Sequence, residues 1–394
     1  MAAQRAPTIA GGLVLIACAW LAVIASAVLS PILPAMRDHF AAVPRVDLLI
    51  GLVATIRGLA VALLAVPFGA AADRVGARPV LLAGTAVYGA VGILPYWTDS
   101  LHAIIGLRAL LGIAEAAVMI ASTTLIGRLF SGRTRQRWIA AQVSSATLLG
   151  IAIALIGGTL GASGWRTPFL VYAFALLLAP LAFVFVPDAG TAPPPKRIET
   201  TAAPAAFGNP WLLALTTFAS IGFYVVVLQT SFVIAERTGA GPATIGQSLA
   251  VGATGTALGS LAAAVFARIA VSTRIAAAFL LMGIGCAIMA VGTSMPIITL
   301  AAGLAGLGAG HTIPTLLGAV VADAPEARKG RVTGLWTGCY FVGQFLNPPL
   351  FLLLRLLGGL GPALAAFAAI CLLIAAIYVR LSLAVPLHDR QATP

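Results

Sequence analysis

The stretch Gly69-Ala-Ala-Ala-Asp73-Arg74-Val-Gly76-Ala-Arg78 sets an aspartate, two arginines and two flanking glycines between apolar runs that are each long enough to cross a bilayer. It reads as a short loop that clamps two membrane helices. Asp73 ends the helix before it, where its carboxylate is expected to pair with Arg74 or Arg78 or to cap a neighbouring helix. Gly69 and Gly76 are expected to let helices approach closely, and the arginines to hold the loop at a membrane surface.

Working outward, the 394 residues are 60% hydrophobic and only 9% charged, with a mean hydropathy of +1.05. About a quarter of a soluble domain is charged, so this chain is a polytopic membrane protein. Runs of about 20 apolar residues recur throughout, without the alternating ten-residue strands of a barrel, which makes the fold all-α. Twelve spans are predicted. In the first half they lie at 10–36, 47–71, 79–98, 102–128, 138–161 and 166–187. In the second they lie at 209–235, 244–267, 275–294, 296–322, 332–355 and 361–384. The run from Ile9 to Leu33 is too long for a signal-peptide core and is taken as the first span.

The net charge of +12 is spread over short loops, with no basic domain to hold a nucleic acid. These cations instead set topology. With the N-terminus inside, sixteen of the 23 Lys and Arg are cytoplasmic, among them Arg5, Lys196, Arg197, Arg328 and Arg390. Arg37, Arg45, Arg166, Arg237 and Arg355 fall outside, and Arg57 and Arg108 fall within the membrane. Both termini are therefore expected in the cytoplasm. Cys18, Cys286, Cys339 and Cys371 all sit in apolar runs without a C-x-x-C pair, which indicates packing rather than a metal site or disulfide framework.

Residues 188–208, rich in Pro, Ala and Thr, read as a linker between six-helix bundles at 1–187 and 209–394. A shift of 196 residues superposes Arg78 on Arg274, Gly112 on Gly308, Glu115 on His311, Arg133 on Lys329 and Arg135 on Arg331. That pattern indicates a parallel repeat, two pseudo-symmetric halves with a site near the bilayer midplane.

Ionisable groups inside a membrane are expensive and mark functional sites. Apart from Asp47 at the edge of the second span, Glu115 is the one acidic residue within a span. It reads either as a protonatable carboxylate that exchanges its proton with each side in turn, or as a structural partner of Arg108 or Arg57. Arg108 stays charged and acts by holding a carboxylate or an anion. Arg57 leaves the site with one excess positive charge, which fits an anionic substrate or a hydrogen-bonded, snorkelling arginine. His311, in the Gly- and Pro-rich run Gly308-Ala-Gly-His311-Thr312-Ile-Pro314, is a proton relay, a substrate contact or a packing histidine.

Tyr224, Gln229, Trp336, Tyr340, Gln344 and Asn347 add rings and amides on the seventh and eleventh helices that suit an amphipathic ligand. Asn347-Pro348-Pro349 is read as a kink or break in the eleventh. No G-x-x-x-x-G-K-[ST] loop is present, and no loop is long enough to house an enzyme. No cofactor is expected, and the energy is expected to come from a proton gradient.

The spacing G-x-x-x-D-R-x-G-x-R at Gly69–Arg78 resembles the loop between the second and third helices of the major facilitator superfamily. Arg108-Ala-Leu-Leu-Gly112 resembles the R-x-x-x-G pattern of that family's fourth helix, where the arginine is associated with proton coupling. The run Arg108 to Ala116 with Ala121-Ser122-Thr123 is similar to a bacterial branch of drug and metabolite efflux permeases, and its Arg/Glu pair to spinster-like transporters.

The resemblance implies a secondary transporter of the bacterial inner membrane. It would act as a monomer by alternating access, with Asp73 latching the halves on the cytoplasmic side while the cavity faces outward. Proton-coupled efflux of a drug-like or metabolite compound is the first expectation. Proton-coupled uptake of an organic anion is the second, because the fifth helix reads Ile153-Ala154-Leu-Ile-Gly157-Gly158 and lacks the Gly-Pro of the family's antiporters. A non-transporting receptor is the third. The remaining glycines of that helix, Gly150, Gly157, Gly158 and Gly161, are expected to form a close-packing surface.

Overall fold

The computed structural model describes residues 8–190, 209–322, 324–325 and 329–384. The topology signals Arg5, Lys196, Arg197, Arg328 and Arg390, and most of the expected linker, lie outside these residues. By its internal contacts the chain divides into two compact units, Met1–Ala206 and Phe207–Pro394. Among the described residues there is no strand.

The first unit holds α1 (Ile9–His39), α2 (Val46–Arg74), α3 (Ala77–Trp97), α4 (Leu101–Leu129), α5 (Gly132–Ala162) and α6 (Thr167–Phe185). The second holds α7 (Pro210–Thr238), α8 (Pro242–Val265), α9 (Val271–Val291) and α10 (Met295–Ala322). It continues with α11 (Lys329–Arg355) and α12 (Leu360–Ala384). Eleven of these helices are long and apolar enough to cross a membrane. The exception is α11, whose 27 residues suffice in length at 1.5 Å each. Thr333, Thr337, Gln344 and Asn347 lower its hydropathy, as expected of a helix with one polar stripe.

Local chemistry sets several helix ends. Thr8 and Ser100 accept from the backbone N–H of Gly11 and Ala103 at the starts of α1 and α4. Gly76 sits before α3 at φ +96°, a conformation that needs glycine. Pro31 lies in a short 3-10 turn inside α1, and Thr167–Ala173 forms another at the start of α6. The expected break at Asn347-Pro348-Pro349 is absent, because α11 runs unbroken through both prolines. Likewise α10 continues through Pro314 despite its glycines. The irregular element is α7, where Val225–Gln229 forms a turn of π-helix.

In the first unit α4 is the central helix, with α1, α2 and α3 packed around it. In the second, α8 and α10 meet through glycine: Gly255 lies on Gly303, Gly259 on Leu307 and Gly306 on Gly252, all through backbone. The repeat offset does not carry into this packing. Gly112 faces α2, whereas its partner in the shift, Gly308, lies against Ala278 and Met282 of α9 rather than on α8. Of the α5 glycines, Gly157 makes a close approach, to the Val28 backbone, while a Cβ at Gly150 would meet only Val23, at 3.8 Å.

A Cβ at Gly310 would lie 2.7 Å from the Thr256 carbonyl carbon, whereas one at Gly338 would meet nothing within 4 Å. Gly310→Leu should therefore lower the thermal unfolding midpoint of the detergent-purified protein by several degrees, from roughly 1–3 kcal/mol of overpacking. Gly338→Ala should leave the midpoint unchanged or raise it slightly.

Candidate functional site

Arg57 of α2 and Glu115 of α4 form an ion pair, Nη1 to Oε1, at 2.6 Å. Each side chain is only 1% exposed. The approach that makes this possible is set by Gly112, where a Cβ would lie 2.5 Å from the Arg57 carbonyl oxygen and 2.6 Å from its Cα. Any larger residue at 112 pushes α4 away from α2 at the level of the pair. The second oxygen of the carboxylate, Oε2, is buried with no hydrogen-bond partner.

Arg108, one of the two expected partners of Glu115, is engaged elsewhere. Its Nε donates to Val53 O of α2 at 2.8 Å, its Nη2 to Ala25 O of α1 at 2.8 Å, and its Nη1 to the Tyr172 hydroxyl of α6 at 2.6 Å. The guanidinium also lies 5.6 Å from the centre of the Tyr172 ring. One residue of α4 thus ties three other helices, with its charge solvated by protein oxygens. Tyr172 was invisible as a site residue in the sequence. A tyrosine in an apolar run next to a buried arginine on another span was the available signal, but pairing spans needs the fold.

The loop differs from expectation in its partners. Asp73 pairs with Arg128 at the end of α4, at 2.7 Å, rather than with Arg74 or Arg78. Arg128 also donates to Gly190 O beyond α6, at 2.9 Å. Arg78 donates to Phe183 O at 2.6 Å and lies 5.2 Å from that residue's ring centre. Arg74 is exposed. The expected close approach at Gly69 is not found, since a Cβ there would meet no atom within 4 Å. Arg128 was missed because it is 55 residues from Asp73 along the chain.

In the second unit the amides of α7 and α11 find each other. Gln229 Nε2 donates to Asn347 Oδ1 at 2.9 Å, and Asn347 Nδ2 donates to Ile221 O at 2.9 Å. Trp336 and Tyr340 stack with ring centres 5.8 Å apart and an interplanar angle of 18°. Tyr224 is buried beside Phe223, their ring centres 5.4 Å apart. Gln344 is 0% exposed, and neither its Oε1 nor its Nε2 has a hydrogen-bond partner. His311 is 7% exposed, with Nδ1 3.3 Å from Gly259 O of α8 and Nε2 unpartnered. Among the described residues no group of three or more His, Cys, Asp or Glu is placed to hold a metal ion.

The Major Facilitator Superfamily model matches residues 15–348. The chain belongs to the major facilitator superfamily. Members of that family are transporters and not enzymes. The multidrug efflux pump LfrA of Mycolicibacterium smegmatis is 33% identical over 118 residues, 29% of this chain. The inner membrane transport protein YajR of Escherichia coli K12 is 30% identical over 135 residues, 34% of this chain. The matched stretches span 23% and 24%, about a quarter, of the length of these two relatives.

The fold is that of solved superfamily transporters. A bacterial homolog of the human lysosomal transporter Spinster has a TM-score of 0.76 at 17% identity, over 97% of this chain and 98% of that one. The human organic anion transporter MFSD10 has a TM-score of 0.65 at 20% identity, over 95% and 100%.

Removing one member of a buried pair strands the other. Arg57→Gln alone should therefore destabilise the protein more than the double variant Arg57→Gln/Glu115→Gln, as read by thermal unfolding. Equal losses would show that the pair contributes nothing beyond its two side chains.

Proposed function

We propose that this transporter exports a small drug-like or metabolite compound in exchange for protons, and that Glu115 carries the proton. The observation that carries this reading is the Arg57–Glu115 pair, a lone carboxylate 1% exposed and held by a single arginine contact at 2.6 Å. When Glu115 is ionised the pair is neutral and closed. When it takes a proton the attraction is lost, and α2 and α4 are free to adjust at Gly112. Alternating access then follows if Glu115 meets water on one side in each arrangement of the helices. The similarity to LfrA over the matched stretch favours export.

Asp73 and Arg128 are the gating elements in this scheme, joined at the same end of α2 and α4 with the Arg78–Phe183 contact nearby. The cations expected outside have partners of their own. Arg37 lies 3.8 Å from Asp47, Arg355 lies 3.1 Å from Glu236, and Arg166 pairs with Asp99. The Lys/Arg count over the short loops is what supports an inner-membrane orientation with both termini in the cytoplasm. His311, with one ring nitrogen unused, is the candidate for relaying protons or touching substrate in the second unit. Tyr224, Gln229, Trp336, Tyr340, Gln344 and Asn347 are the candidates for orienting it. No cofactor takes part, and the monomer is the working unit.

Uptake of an organic anion is the weaker reading, because neither buried arginine is left to an anion. Arg57 is held by Glu115, and Arg108 by two carbonyls and a phenol.

In everted vesicles, an inward-acidic gradient should drive accumulation of an exported dye. Glu115→Gln should abolish the pH dependence of transport while leaving counterflow exchange intact. Normal pH dependence in that variant would remove Glu115 from the coupling step. Asp73→Asn should slow transport several-fold without loss of folded protein, and an unchanged rate would exclude the loop from gating.

A further inference from the structure

We propose that Tyr172 is a positioning residue that holds Arg108 off Glu115, so that the carboxylate is in direct contact with one arginine instead of two. The inference rests on the proposed role of Glu115 as proton carrier, and concerns what sets its proton affinity.

The two arginines near Glu115 are held in different ways. Arg57 reaches it directly, at 2.6 Å. Arg108 is on the same helix, seven residues before it. That is about two turns and a similar face, within the combined reach of two long side chains. Glu115 Oε2 is buried and lacks a hydrogen-bond partner, so an acceptor for a second arginine is present and unused. What engages Arg108 is one oxygen from each of three helices, and two of these are main-chain carbonyls, Val53 O and Ala25 O. Tyr172 Oη is the only one of the three that belongs to a side chain, and it holds Nη1 at 2.6 Å.

Tyr172 is itself fixed. It is 0% exposed, its ring centre is 5.7 Å from that of Tyr88, and a Cβ at Gly92 would lie 2.5 Å from its own Cβ. Among the described residues, the ionisable groups that face Glu115 are Arg57 of α2, Arg108 of α4, Tyr88 of α3 and Tyr172 of α6. From α1 the site receives the carbonyl of Ala25 and, through Tyr88, that of Leu21.

Without the phenolic oxygen, Nη1 of Arg108 has lost its acceptor at a residue only 2% exposed. The nearby unused acceptor is Glu115 Oε2. A guanidinium drawn to it adds a second cation to the carboxylate and favours its charged form. The proton then binds only at lower pH, and a carrier built for one pH range works in another.

The test reads the proton directly, with no transported compound needed. In purified protein returned to lipid, the infrared carbonyl band of protonated Glu115 is titrated against pH, and is assigned by its disappearance in Glu115→Gln. Tyr172→Phe should move the midpoint down by about one pH unit, the lower end of the effect of a neighbouring arginine on a carboxylate. Tyr88→Phe is the control for a lost buried hydroxyl, because that group donates to Leu21 O at 2.6 Å and touches no arginine through it. Its midpoint should stay with wild type. In the double variant Tyr172→Phe/Arg108→Gln the downward shift should vanish, since no second cation remains to turn.

An unchanged or raised midpoint in Tyr172→Phe, or a shift equal to that of Tyr88→Phe, overturns the proposal. If Tyr172→Phe is not recovered folded, Arg108→Gln and Arg57→Gln decide. A held-off Arg108 requires the former to raise the midpoint by less than the latter, and equal shifts overturn the positioning role. The transport reading fails separately. A band that titrates as described in a protein whose transport ignores Glu115 leaves Tyr172 in place and removes only the coupling.

Discussion

A carboxylate and a guanidinium can share a dry interior only if each meets its opposite at contact distance, and Arg57 and Glu115 meet that condition in the first unit. Contact at 2.6 Å goes with α2 and α4 touching backbone to backbone, which a glycine at 112 allows. With that pair closed, the second arginine is solvated by protein oxygens and not by the carboxylate. Three helices supply the oxygens. The α4 helix is central because it carries the charges, and its neighbours are placed by what those charges need.

The second unit meets the cost of membrane burial in another way. Its α8 and α10 approach through glycine, with backbone against backbone. Neutral amides pair in its interior between α7 and α11. Neutral groups tolerate imperfect pairing better than charges do, since a stranded amide costs about 1–3 kcal/mol and a stranded ion several times more. Gln344 is found without partners; Arg108 is not.

Much of this was legible in the chain itself. Length and hydropathy located the helices, because spanning a bilayer imposes a minimum run of apolar residues that nothing else in the sequence imitates. Glu115, Arg57 and Arg108 stood out for the same reason. Their pairing did not, since Arg108 is seven residues from Glu115 and Arg57 is 58, and only the contact of α2 with α4 selects the more distant one. Asp73 shows the same limit. Its neighbours in the chain are arginines, but the one it meets is 55 residues away. The glycine and proline signals misled as to breaks: α10 and α11 stay helical through residues that end helices in water. The twelfth helix to qualify by length, α11, fails on hydropathy because one face of it was never meant for lipid.

The π turn at Val225–Gln229 changes how α7 can be read at all. One residue inserted into an α-helix advances everything after it by about 100° around the axis. A helical wheel drawn for Pro210 to Thr238 as a single regular helix therefore assigns the wrong compass bearing to every side chain beyond Gln229. Thr230 marks the seam, its N–H reaching back five residues to Val225 O. The two halves of α7 thus present independent faces, each free to be matched to its own surroundings by substitution on one side of the seam without disturbing the phase of the other.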